Sequence, residues 1–219
     1  MSLIKRFIFS HEVIYKRAMK MKNNKKCRGG VKVENKGYAC INKDIVGHNN
    51  HIYIGENTTI HKSSIYIRGN NNKLVIEGDC HIGQDCSFWI EGNDILIYIK
   101  TGTTITYGVH LCAQEDNTKI VIGSDCMLSN TIVIRTSDSH PIYDVKTNVR
   151  LNKASNVIIG TQVWIAPNVK IMKGVMIGDN SIIGTDTIVT KQIPGNVLAV
   201  GHPAKVVKTE IKWMRERLF

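Results

Sequence analysis

The sequence predicts an all-β protein, a three-sided parallel β-solenoid. Two observations predict it. From Val157 to Gln192 the chain falls into sixes, VIIGTQ VWIAPN VKIMKG VMIGDN SIIGTD TIVTKQ. Ile or Val stands third each time: Ile159, Ile165, Ile171, Ile177, Ile183 and Val189. Upstream the same spacing returns in threes: Ile76, Ile82, Phe88; then Ile99, Ile105, Leu111; then Ile122, Leu128, Ile134. Six is a multiple of two and not of 3.6, so the pattern implies strands, not helices. Three sixes close one triangular coil, and coils stack about 4.8 Å apart as parallel strands. Third-place residues point inward, so Ile76, Ile99 and Ile122 stack. Five to six coils are expected between about Ile52 and Gln192.

Residues 1–50 read as a basic, helical capping segment. Residues 1–28 hold nine basic side chains against one acid, Glu12, and so carry +8 of the net charge of +11. That segment is either a solvated amphipathic face or a peripheral contact for anionic lipid or an anionic glycan. Nucleic acid is not the expected partner, because no recognition motif accompanies the charge. No secretory signal is visible and no apolar run reaches the ~18 residues of a membrane span, so a cytoplasmic location is expected, with the inner membrane surface as its variant.

Residues 51–195 read as the solenoid itself. Upstream triplets begin 23 residues apart, eighteen in register plus five, with the extras in polar turns such as Gly92-Asn93-Asp94 and Glu115-Asp116-Asn117. Cys80, Cys86 and Cys126 each stand two residues before an inward position, where a corner wants a small side chain. Cys80 and Cys126 sit two rungs apart, about 9.6 Å by strand spacing. That is too far for a disulfide, so reduced structural thiols are expected. Trp164 precedes inward Ile165 and points outward, with Ile182 on the same face; Ile158 and Met176 form a second outward pair. Such apolar columns call for cover. The count breaks between Ile134 and Ile159, and a loop over about 135–156 is expected there. Residues 196–219 read as a turn and a capping helix.

In order and spacing, Ser139-His140-Pro141-Ile142, Val163-Trp164-Ile165-Ala166, Ile183-Gly184-Thr185, Val189-Thr190-Lys191 and Gly201-His202-Pro203-Ala204-Lys205-Val206-Val207 resemble the hexapeptide-repeat acyltransferases. The nearest branch is that of the galactoside, maltose and polysaccharide O-acetyltransferases. The resemblance is strong from about Ile120 to Lys208 and only architectural before that. It implies a left-handed β-helix, a homotrimer with sites between subunits, acetyl-coenzyme A as co-substrate, and a sugar or glycan hydroxyl as acceptor. No metal is expected.

By the same resemblance His140 is the general base. A sugar hydroxyl must lose its proton as it attacks a thioester carbonyl, and an imidazole, which titrates near neutrality, suits that task. Asp138 or a backbone carbonyl would orient the ring. Trp164, twenty-four residues on, is placed with the catalytic residues and walls the thioester end of the coenzyme pocket. Thr185 would meet the pantetheine arm, and Thr190, Lys191 and Lys208 the nucleotide end. The oxyanion of the tetrahedral intermediate needs donors. Pro167 stands where relatives often have Ser and has no N–H; Ala166 keeps one, and His110 is either a side-chain donor or a surface histidine. Two other readings use parts of the same pattern. One is an N-acetyltransferase of amino sugars or an antibiotic acetyltransferase. The other is a non-catalytic or carbonic-anhydrase-like β-helix, for which His61 and His81 lie outward.

Overall fold

The computed structural model describes residues 25–218. The chain is an all-β, left-handed parallel β-helix with three faces, and no helix occurs among the described residues. Face I is a sheet of seven strands among these residues: Val31–Asn35, Asn50–Ile54, Lys73–Ile76, Leu96–Ile99, Lys119–Ile122, Val157–Ile159 and Met176–Ile177. Faces II and III form one larger sheet, because the ten-residue strand Thr59–Arg68 runs through a corner and pairs on both sides of it.

The predicted columns are present. Ile54, Ile76, Ile99, Ile122, Ile159 and Ile177 are successive in-register partners. All are essentially buried. The residue numbers of that column give the coil lengths directly. Ile76 to Ile99 to Ile122 advances by 23, Ile159 to Ile177 by 18, and Ile122 to Ile159 by 37. The long step holds the break in the count.

Most corners call for left-handed backbone. Between faces I and II the left-handed region is occupied by Asn57, Asp79, Gly102, Asp125, Gln162, Asn180 and Asn196. Short polar side chains tolerate positive φ better than most residues, and glycine best. Buried asparagines extend the ladder at the corner between faces III and I. Asn72 Nδ2 donates to the Gly92 carbonyl (2.9 Å), its Oδ1 accepts from Ile95 N (2.9 Å), and its own N–H donates to Asn50 Oδ1 (3.0 Å). All six cysteines are free. Burial pushes the thiols of Cys80 and Cys126 up to about 11, so they serve as inert packing groups.

Two expectations are corrected. The capping segment assigned to residues 1–50 is, from Lys25 onward, strand: Lys25–Arg28, Val31–Asn35 and Tyr38–Val46 extend the ladders. Its remainder lies outside the described residues. The C-terminal capping helix is absent from residues 210–218, which lie extended along the side of the solenoid. Ile211 N bonds to the Asn196 carbonyl, and Arg215 reaches the carbonyls of Gly102 and Cys126. Four coil steps separate Asn196 from Gly102, about 19 Å at 4.8 Å each. Four helical residues advance only about 6 Å; an extended tail with an arginine arm covers the distance.

Asn72→Ala would strand the Ile95 N–H and the Gly92 carbonyl inside the corner. Urea unfolding should show a loss of about 2–4 kcal/mol, from two unsatisfied buried groups.

Candidate active site

The break in the count is a folded loop. After strand Val133–Arg135 the chain leaves face III and returns as Val157–Ile159 on face I. Its tip is a short hairpin closed by an antiparallel bridge between Tyr143 and Arg150. Asp144 caps that turn, accepting from the Lys146 and Thr147 amides.

The base of the loop is tied down from several coils. Glu115 accepts both guanidinium nitrogens of Arg150 at 2.7 Å and the Ser137 hydroxyl at 2.6 Å. Arg150 is the chief cause holding the Glu115 carboxyl below its usual range. Arg135 donates to the Ser137 carbonyl and the Ser139 hydroxyl, which itself donates to Gln114 Oε1. Asn152, only 8% exposed, accepts from the Ile142 amide and donates to Asp138 Oδ2 and the His140 carbonyl. Lys173 closes an ion pair onto Asp138 and is the main reason that carboxyl sits below its ordinary value.

At the centre of this network Ser139 adopts φ 69°, a left-handed conformation uncommon outside glycine, asparagine and aspartate. Strain of that kind persists only where surroundings enforce it. It presents His140 on the loop surface, exposed. The backbone of His140 is held through its carbonyl, while none of the described residues hydrogen-bonds its ring. The Asp138 carboxylate is engaged by Lys173 and Asn152 instead.

The other residues singled out from the sequence fall in two groups. Trp164 points outward on face II, in register with Met127 and Ile182, and Ile182 with Leu198. Thr185 lies at the corner leaving face II, and Lys208 pairs with Leu198 at the end of that face. Thr190 and Lys191 lie at the far edge of face III, one rung beyond Met172 and Lys173, on the same edge as the loop. Within one chain, then, His140 shares an edge with Thr190 and Lys191 but not with Trp164. The Ala166 amide donates to the Ile183 carbonyl at 2.9 Å, so an oxyanion would have to compete with a ladder bond.

His110 lies on face III with its Nδ1 2.5 Å from Ser87 Oγ. It borders an open groove of about 700 Å³ with Asn42, Ser64, Tyr66, Ser87 and Trp89. The Tyr66 and Trp89 rings stack at 3.8 Å, and the Arg68 guanidinium lies over Tyr66. Sequence reasoning missed this aromatic wall, and also Glu115, Arg135, Arg150, Asn152 and Lys173. Only the spacing of 23 between Tyr66 and Trp89 in matching triplets could have found the wall.

A left-handed prism carrying one strained, pinned histidine loop defines a class: the acyltransferases built on hexapeptide repeats. A family model described as bacterial transferase hexapeptide (six repeats) matches residues 156–191. The polysialic acid O-acetyltransferase of Neisseria meningitidis is 40% identical over 174 residues, 78% of this chain and 79% of that protein. The enzyme of the same description from Escherichia coli O1:K1 is 36% identical over 125 residues, 57% of this chain but only 39% of its own length. Two solved structures superpose closely. The polySia-specific acetyltransferase NeuO does so with TM-score 0.78 at 30% identity, covering 89% of this chain and 90% of that one. The polysialic acid O-acetyltransferase OatWY does so with TM-score 0.77 at 35% identity, covering 87% and 89%. The chain belongs to the hexapeptide-repeat acetyltransferases and is an acyltransferase.

Burial, and then the charge of Arg135, hold His110 below its ordinary pKa; burial and His81 do the same for His61. The fold therefore binds fewer protons than the unfolded chain once pH drops under about 6.5. This share of stability is whole above that pH and is lost as pH falls through the folded values. The urea midpoint should decline between pH 7.5 and 5.5, and His110→Gln should make the decline shallower.

Proposed function

We propose that this enzyme transfers an acetyl group from acetyl-coenzyme A to a hydroxyl of a sialylated, anionic glycan, with His140 as general base. The observation that carries the reading is the loop: extensive anchoring of the backbone around His140, with the imidazole left exposed. Holding a base in place while keeping its ring open to substrate is what proton abstraction requires.

When bound, acetyl-coenzyme A supplies a thioester carbonyl as the acyl group. The outward stripe of Trp164, Ile182 and Leu198 suits the aliphatic groups of the pantetheine arm, with Thr185 beside it for the arm's amides and Lys208 at its end for a phosphate. A ring nitrogen of His140 takes the hydroxyl proton as the acceptor oxygen attacks. It returns that proton to the departing sulfur as the carbon–sulfur bond breaks. No acyl-enzyme is needed, because the hydroxyl attacks directly. The groove beside Tyr66 and Trp89, with serine, asparagine and histidine lining it and Arg68 close by, offers the mixture of ring and polar contacts that a sugar chain uses.

Two copies are required by this reading. His140 stands on a loop at the edge of face III, whereas Trp164 points out from face II. The loop also exposes Ile142, Tyr143, Val145, Val149 and Leu151, an apolar set that a neighbouring subunit would cover. A homotrimer with the loop of one copy facing Trp164 of the next satisfies both. The acceptor class is supported by the relatives named above. A cytoplasmic site of action follows from the donor; among the described residues no helix is long and apolar enough to cross a membrane.

His140→Ala should lower kcat on sialic acid oligomers by about 10²–10⁴-fold, with trimer mass and coenzyme A binding unchanged by sedimentation and calorimetry. Near-normal turnover would remove His140 from the role. Equal rates on neutral and sialylated glycans would remove the acceptor assignment.

A further inference from the structure

The C-terminal tail does not cover an open end of the solenoid. It runs down the corner between faces I and II, over the coil that carries Trp164. Ile211 N bonds to the Asn196 carbonyl on the last coil at 3.0 Å. Two residues on, Trp213 is 6% exposed, and its Nε1 donates to the Gln162 carbonyl at 2.9 Å. Its ring lies 6.0 Å from that of Trp164, with the planes at 49°. Arg215 then fastens the strap below. Its guanidinium donates to the carbonyls of Cys126 (2.8 Å) and Gly102 (3.0 Å) and to Thr104 Oγ1 (3.0 Å).

The strap is thus anchored above and below Trp164, with an aromatic ring set against it between the anchors. Trp164 needs such help. It stands on a two-residue strand, points away from the core, and has only Met127 and Ile182 as column neighbours. An outward indole on so short a strand is free to change rotamer unless something packs beside it. A residue that must wall a narrow ligand site has to be held to within about half an ångström.

We propose that Trp213 and Arg215 are positioning residues for the acetyl donor: the strap fixes the Trp164 ring and so shapes the wall against which the donor's thioester end lies. The proposal rests on the reading that Trp164 borders the donor site. Neither residue is assigned contact with the reacting atoms. Trp213 acts through the Trp164 ring, and Arg215 acts through Trp213 by holding the strap taut.

The test uses the full chain, with acetyl-coenzyme A and a sialic acid oligomer as substrates and calorimetric titration of coenzyme A. Trp213→Ala should raise KM for acetyl-coenzyme A about tenfold and weaken coenzyme A binding in parallel. KM for the glycan should stay put and kcat should change less than threefold. Trp213→Phe should restore most of the affinity, since a ring again packs on Trp164. Arg215→Met, which touches neither tryptophan, should shift the same KM in the same direction by about threefold. In a Trp164→Ala background, Trp213→Ala should add nothing further. Unchanged donor constants in Trp213→Ala, or a full additional effect in the Trp164→Ala background, would overturn the proposal. If Trp213→Ala does not fold, Arg215→Met carries the decision: a raised KM for acetyl-coenzyme A supports the proposal, and unchanged donor constants overturn it. Trp164→Ala with normal coenzyme A affinity is a separate outcome: it defeats the donor-site reading itself.

Discussion

The structure depends on the hydrogen-bond ladder between successive coils. In a parallel solenoid each coil satisfies its backbone groups on the coils above and below, so all coils must follow nearly one path. That requirement stacks like positions into columns, from Ile54 through Ile177 on face I. It also fixes the corners, where left-handed backbone recurs at Asn57, Asp79, Asp125, Asn180 and Asn196. Departure from the path is tolerated only where a stretch can leave a corner and rejoin the ladder in register. Among the described residues the chain does this once on a large scale, between Ile122 and Ile159.

A long excursion is not by that fact rigid. The ordering of some twenty residues must be offset by contacts the loop makes with the scaffold. Here they are polar and come from far along the sequence: Glu115 with Arg150, Gln114 with Ser139, Lys173 with Asp138. Partly exposed ion pairs are weak one by one. Linked through Asn152, whose amide touches Asp138, Ile142 and the His140 carbonyl, they share a geometry that no pair could impose alone. Ser139 keeps its strained backbone inside that network.

The legibility of each part follows from the same physics. Columns were readable because the ladder forces a repeat on the sequence, and the loop was readable as the place where the repeat fails. Outward Trp164 and Ile182 followed from counting by two. The strands at Lys25–Val46 were not readable, because the first coils lack the column pattern: Lys43 stands in register with Ile65, where later coils place Phe88 and Leu111. The tail's course is not legible locally, because helix propensity depends on neighbouring residues, whereas its extended form is dictated by carbonyls on four other coils. The anchors of the loop left no signal at all. An ion pair across thirty-five residues has no period, and Asn152 looks like any loop asparagine until its partners are in place.

The shape of the body constrains where chemistry can happen. A three-sided prism is convex, its flat faces meet at outward corners, and among the described residues its side-chain columns border open grooves such as that beside Tyr66 and Trp89. His140 stands off the edge where face III gives way to the loop, and Trp164 points out from face II. In the proposed function a second copy completes the site, and its face would arrive as a rigid surface. Between two rigid surfaces, precision has to come from side chains fixed before they meet. On one surface that is the work of the pinned loop. On the other, a lone outward indole gains the same fixity only from what packs beside it, which is why the course of the C-terminal tail bears on donor binding and not merely on the stability of the last coil.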